Sequence, residues 1–446
     1  MSVKVCKFGG SSVADADCLR RVAGIVQSDP ARRYVVTSAP GKRGPKDDKV
    51  TDLLLLCYES ALRGVGRSEV MSEIANRFAA IVDGLGLDLP LADVLDGVER
   101  GIADSAERQL GPDFAASRGE AIHGRVVAAL LGWPCVDAAE VVRFDGRGRL
   151  DAEATNRLLQ QRLGEMSHAV VPGFYGADPT GRVWTLGRGG SDVTGSLVAR
   201  AVGASVYENW TDVPGLLVTD PGVVPEAKPI RSVTYRELRE LSYSGARVLH
   251  EDAVFPVREA RIPVRVKSTS DPDAEGTEVL PVSEDEAPPT GYDITGVAGR
   301  NDFTIFTLEK AQMNAEVGFG RRALGVLEDR GISFEHTPSG IDTFSVVVSE
   351  EYFAEPGSRG ALAEALQKAV DADTVEVHRH ISLIATVGRG MRQKLGMAAR
   401  LFGALAKAGV NIRLIDQGSS ELNIIVGVAD AQYDDAIRAI YHEFVK

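Results

Sequence analysis

The stretch Thr185-Leu186-Gly187-Arg188-Gly189-Gly190-Ser191-Asp192-Val193-Thr194-Gly195 constrains this chain more than any other. It sets glycines around one guanidinium, then a carboxylate and hydroxyls, with an apolar run beginning at Leu197. Glycines reach backbone angles that other residues resist, so such a loop turns several N–H groups toward one point. A helix starting near Ser191 adds its free N–H groups and positive end to the same anion site. Arg188 supplies a planar fork suited to a carboxylate or phosphate. A plain strand-to-helix turn has the same composition, so the loop alone does not decide the function.

A second cradle lies near the N-terminus. Val3-Lys4-Val5-Cys6 reads as a strand and runs into Lys7-Phe8-Gly9-Gly10-Ser11-Ser12. No G-x-x-x-x-G-K-[ST] occurs in the chain, so this is not a Walker A loop. Two cradles in one domain imply a ligand with several anionic groups, such as a nucleotide together with an acidic acceptor.

The pair Lys7–Ser12 and Leu186–Asp192 resembles the aspartate kinases of the amino-acid-kinase superfamily. The likeness continues through Ser117-Arg118-Gly119-Glu120, Pro172-Gly173-Phe174, Trp210-Thr211-Asp212-Val213 and Gly245-Ala246-Arg247-Val248-Leu249-His250. It implies an α/β three-layer sandwich with a central, mostly parallel sheet over 1–270. A connector over 271–293 follows, acidic and with several prolines, in which Glu278–Val282 is expected as a short strand. The ligands implied are ATP with Mg²⁺ and L-aspartate.

The C-terminal region carries an internal repeat. Asp302–Thr307 aligns with Ile381–Thr386, Phe319–Gly331 with Ala399–Gly409, Ile332–Phe334 with Val410–Ile412, and Thr343–Val348 with Leu422–Val428. Each copy reads strand, helix, strand, strand. That layout resembles the ACT domain, a small α+β (ferredoxin-like) amino-acid-sensing module, expected here over 294–372 and 373–446. Gln417-Gly418-Ser419-Ser420-Glu421 resembles the second such module of aspartate kinases. An effector such as lysine or threonine is implied, with Met313, Ser339 and Asp342 as candidate contacts. Sheet edges left by such units imply a homodimer, or a dimer of dimers, through the ACT domains.

Composition narrows the partners. The formal net charge of −13 argues against a nucleic-acid or anionic-membrane surface. Cysteines at 6, 18, 57 and 135 have no metal-like spacing, and Cys6 and Cys57 sit among apolar residues. No secretory leader or membrane-length apolar run is visible, so the cytoplasm is expected. No dinucleotide-binding segment follows up to Lys446, and a monofunctional kinase is expected.

Taken in order, Tyr34–Ala39 reads as a buried strand that empties into a charged loop ending near Lys49. Thr51 or Asp52 is placed to cap the helix after it. Ser38 and Thr51 match family positions near the aspartate. Glu120 reads as the start of a helix, where an acid suits the dipole; the resemblance adds a role in binding the substrate ammonium. His123 reads as a surface or packing residue. Thr211, Asp212 and Arg247 match nucleotide contacts, Arg247 standing where lysine is usual. Leu217 and Gly222 depart from the family pattern.

The reaction implied is transfer of the ATP γ-phosphoryl to the β-carboxylate of L-aspartate, which opens biosynthesis of lysine, threonine and methionine. The acceptor is already an anion at neutral pH, so no general base is needed. In this reading Lys7 is the catalytic cation, with Gly9, Gly10 and Ser11 beside it at the phosphates. Asp192 orients Lys7, and Arg188 with Ser191 holds the substrate α-carboxylate. No residue is assigned as a direct metal ligand. A kinase for another amino-acid carboxylate, and an amino-acid sensor without catalysis, remain alternatives.

Overall fold

The computed structural model describes residues 2–246, 249, 251–392 and 394–445. These form two compact units, one of residues 1–216, 229–235 and 247–287, the other of 217–228, 236–246 and 288–446.

The first unit is built on a seven-stranded sheet. Its spatial order is Ala169–Pro172, Arg32–Thr37, Lys4–Phe8, Val206–Thr211, Val264–Ser268, Thr277–Leu280, Ser232–Thr234. The first five strands run parallel, and only the Val264–Ser268 pairing with Thr277–Leu280 is antiparallel. Parallel strands buried on both faces read as continuous apolar runs, as Tyr34-Val35-Val36 and Ala169-Val170-Val171 do. Alternation along Lys4–Phe8 decides what each face receives. Cys6 and Phe8 enter a core shared with the helices Ala16–Gln27, Val50–Leu62, Ser68–Leu85, Leu91–Glu107 and Asp113–Leu131. Lys7 turns the other way, toward the helix Gly190–Ala201.

Three local expectations are corrected. The strand at 277–280 belongs to this sheet rather than to a connector, because its backbone pairs on both sides. The helix after the charged loop begins at Val50 with Lys49 as its cap, so neither Thr51 nor Asp52 caps it. Glu120 lies in the middle of Asp113–Leu131, where the dipole of a first turn cannot act on it.

The second unit carries a five-stranded sheet in the order Thr343–Ser349, Gly296–Glu309, Thr374–Val387, Asn423–Ala429, Leu414–Asp416. The repeat is visible in its backbone: Gly318 and Gly396 cap equivalent helices, Phe319–Glu328 and Met397–Lys407, at φ 83° and ψ 9° in both. The repeats are nested rather than tandem. Strand Gly296–Glu309 pairs through Phe303–Glu309 with Thr343–Ser349. Its first residues, Gly296–Arg300, pair with Leu383–Val387 in the sheet of the second repeat. A division at 372/373 therefore separates strands that share one ladder. No regular strand forms at 332–334 or 410–412; the pairing falls later, as a bridge between His336 and Val347 and as the strand Leu414–Asp416.

Residues 217–228 and 236–246 lie within the expected first domain yet join the second unit. Their polar groups are satisfied there: Val297 N–H donates to Val218 O at 2.6 Å, Asn423 Nδ2 donates to Glu240 Oε2 at 2.6 Å, and Arg389 pairs with the fully buried Glu237 at 2.5 Å. Breaking a buried pair of that kind costs about 3–5 kcal/mol, enough to hold a short helix in place.

Candidate active site

The C-terminal ends of the strands Lys4–Phe8, Arg32–Thr37, Ala169–Pro172 and Val206–Thr211 converge with the N-terminus of Gly190–Ala201, the position where parallel α/β sheets hold ligands. Lys7 and Asn209 are direct cross-strand partners on adjacent parallel strands. Their side chains therefore share a face, and both reach one carboxylate oxygen. Lys7 Nζ lies 2.5 Å, and Asn209 Nδ2 2.8 Å, from Asp192 Oδ1. Asp192 is delivered by the first turn of its helix, whose cap Gly189 has φ 75°. Tyr207 supports the same turn by donating from its hydroxyl to Asp192 O at 3.1 Å.

Close backbone approaches explain the glycines. A Cβ on Gly173 would lie 2.7 Å from Ser191 Cβ, and one on Gly41 would lie 2.5 Å from the Gly10 carbonyl carbon. The loop after Arg32–Thr37 thus folds onto the Gly9–Gly10 turn, with Gly41 N–H donating to Gly10 O at 2.8 Å. Phe174 takes φ 80°, a cost offset by Thr194 Oγ1, which accepts from Phe174 N–H, and by Leu186 N–H, which donates to Phe174 O. On the far side, Gly9 N–H donates to Trp210 O at 3.0 Å, and Ser12 and Thr269 hydroxyls meet at 3.0 Å beneath Thr211.

The buried acid in this region is Glu120. Burial pushes its carboxyl up to about 7, against the opposing pull of the Ala39 N–H and, more weakly, of Arg118 and Lys7. Among the described residues its Oε2 has no partner. One turn further, His123 is fully buried, and burial pushes its imidazole down to about 4.

The sequence-derived candidates fall in different settings. Lys7, Gly9, Gly10, Ser191, Asp192 and Thr211 belong to elements that meet at these strand ends, and Ser38 and Glu120 line the loop beside them. Thr51 is half-buried in the second position of its helix, while Ser11 and Asp212 are exposed. Arg188 is exposed and makes no hydrogen bond or ion pair with the described residues. Arg247 lies outside the described residues. In the second unit Met313 is buried in the hydrophobic core, Asp342 Oδ1 accepts from the N–H of the neighbouring Gln312, and Ser339 bridges to Phe344. Asn209 was not anticipated; a polar residue one register step from Lys7 is the signal that finds it.

Mostly parallel sheet, lysine–aspartate pair between glycine turns and a nested α+β repeat together define a small-molecule kinase of the amino-acid-kinase class with ACT-type modules. Accordingly, the model of the amino acid kinase family matches residues 2–268, and that of the ACT domain matches 384–444. Aspartokinase 3 of Bacillus subtilis is 38% identical over 456 residues, spanning 99% of this chain and 98% of the relative. The crystal structure of Clostridium acetobutylicum aspartate kinase is 44% identical, covers 99% of this chain and 100% of its own, and superposes with a TM-score of 0.93. Escherichia coli aspartokinase III in complex with aspartate and ADP is 30% identical, covers 99% of both chains and gives a TM-score of 0.78. The chain belongs to the aspartokinase family.

Proposed function

We propose that this chain transfers the γ-phosphoryl of ATP to the β-carboxylate of L-aspartate, giving 4-phospho-L-aspartate and ADP. The observation that carries the reading is the Lys7–Asp192–Asn209 cluster, a buried cation held in place between two glycine turns. Both reactants are anions, so the barrier is electrostatic, and catalysis consists of positioning and charge neutralisation. Lys7 meets the transferring phosphoryl, with the Gly9 and Gly10 turn and Ser11 beside it. Asp192 and Asn209 fix the ammonium so that it need not reorganise as charge shifts. Arg188 folds in to clamp the substrate α-carboxylate with Ser191, Ser38 and Thr51 border the aspartate, and Glu120 Oε2 receives its ammonium. Thr211, Asp212 and Arg247 serve the nucleotide.

Mg²⁺ takes few protein ligands besides phosphate oxygens, and the Asp192 oxygen not engaged by Lys7 and Asn209 fits that demand. When bound there it would neutralise phosphate charge.

The second unit supplies regulation in this proposal. Lysine bound at the Met313, Ser339 and Asp342 turn favours a low-activity state in proportion to its differential affinity. The support is a lysine-sensitive aspartokinase 3 of Escherichia coli, 31% identical over 98% of both chains, and a solved complex of aspartokinase III from that organism with lysine and aspartate. A homodimer through the ACT modules and a cytoplasmic location complete the reading; four free cysteines suit a reducing compartment. Among the described residues, no helix is long and apolar enough to cross a membrane.

A coupled ADP-release assay across aspartate, glutamate, N-acetylglutamate and the other amino acids tests the proposal. Turnover with aspartate alone is expected. Turnover with another carboxylate, or none with any, refutes it.

A further inference from the structure

One peptide unit beside the site is held against a single helix. The Ser38 carbonyl oxygen lies 2.8 Å from His123 Nδ1, and the N–H of the same peptide, on Ala39, is the polar group that pulls most strongly against the rise of the Glu120 carboxyl. In a trans peptide these groups point in opposite directions. Residues three apart on a helix share a face, so Glu120 and His123 on Asp113–Leu131 are spaced to reach both. A carbonyl oxygen only accepts; His123 Nδ1 therefore carries the proton and donates, and Nε2 keeps its lone pair. The Thr37 hydroxyl, 3.1 Å from Nδ1 and 3.0 Å from Ser38 O, closes the arrangement.

The helix comes this close because of Gly119 and Gly124. A Cβ on Gly119 would stand 2.8 Å from Ala39 Cβ, and one on Gly124 would stand 2.5 Å from Pro172 Cγ. Both side chains are buried, and among the described residues each leaves one atom without a partner, Glu120 Oε2 and His123 Nε2. Burial obliges the imidazole N–H to find an acceptor, and the acceptor it takes is the backbone next to the acid. That backbone unit also carries the N–H that acts on the acid.

We propose that His123 is a positioning residue for acceptor recognition: by fixing the Ser38–Ala39 peptide, it sets the seat of Ser38 and the backbone against which the helix carrying Glu120 packs. The inference rests on the reading of Glu120 as the partner of the substrate ammonium.

Steady-state kinetics of the full chain test it. His123→Leu is expected to raise the aspartate KM about tenfold, the worth of one well-made hydrogen bond, with the ATP KM unchanged. His123→Asn places an amide N–H where Nδ1 was and is expected to restore the aspartate KM. His123→Gln places it where Nε2 was and is not. An unchanged aspartate KM in the Leu variant overturns the proposal. If the Leu variant does not fold, equal aspartate KM values for the Asn and Gln variants overturn it instead. Glu120→Gln separates the two levels: an unchanged aspartate KM there refutes the role of Glu120 itself. A raised value there, with His123 variants like wild type, refutes the clamp alone.

Discussion

Glu120 makes the affinity for aspartate depend on pH in a way that can be worked out in advance. Burial pushes its carboxyl up to about 7, and among the described residues one of its oxygens has no partner. The substrate ammonium prefers the ionised form, so below that pH binding must first expel a proton. The aspartate KM should therefore fall tenfold for each unit of pH rise up to about 7 and level off above it. At pH 6 roughly one Glu120 in eleven is ionised, and the KM should be about tenfold above its plateau. Neither the acceptor carboxylates nor its ammonium titrates in this window. The assay is the aspartate KM from pH 5.5 to 8.5, with titration calorimetry in two buffers to count the released proton. A KM that is flat between pH 5.5 and 7 refutes the reasoning. The same ionisation acts on stability with a definite sign. A carboxyl raised from 4.5 to about 7 stabilises the free chain fully below 4.5, and that contribution is lost as pH rises through 7. The shift corresponds to about 3 kcal/mol at 1.36 kcal/mol per unit. Glu120→Gln should therefore stabilise the unliganded chain at pH 8 by up to that amount, but not at pH 4, while weakening aspartate binding.

Lys7→Ala should lower kcat by about a thousandfold, since a preorganised group opposite developing charge is worth several kcal/mol; near-normal turnover rejects the assignment. Arg188→Lys should raise the aspartate KM by roughly tenfold or more, because one ammonium does not reproduce two parallel hydrogen bonds. Gly173→Ala places a methyl 2.7 Å from Ser191 Cβ and should push the helix Gly190–Ala201 off the strand ends, seen as lost activity in a chain that still folds. His123 has its pKa lowered from 6.5 to about 4, so it contributes stability above pH 6.5 that disappears as pH falls through 4; His123→Asn should make the chain more resistant to acid in that window, read by thermal denaturation against pH.

Much of the site was legible because its chemistry is concentrated in short, ordered stretches. Strand alternation puts Lys7 opposite the core residues Cys6 and Phe8, and a glycine-rich turn before an apolar run foretells the helix that brings Asp192 to it. The illegible part depends on which strands become neighbours. Asn209 matters only because residue 209 pairs with residue 7, a register that no local pattern encodes. Glu120 suits a helix start on propensity, yet tertiary packing over Gly119 and Gly124 extends that helix to Asp113 and leaves the acid buried at mid-helix. The repeat was readable from matching segments, but its nesting was not, since the alignment starts at Asp302 and the shared strand starts at Gly296.

That strand has a consequence for how the chain is made. Gly296–Arg300 emerges from the ribosome about 83 residues before its partner Leu383–Val387, a wait of roughly 4–17 s at about 5–20 residues per second. The inner module, in which Phe303–Glu309 pairs with Thr343–Ser349, can close during that interval. The outer one must stay open until its last strands are translated. A gene fragment beginning at codon 373 would encode a sheet lacking its edge, whereas one beginning before codon 294 would not.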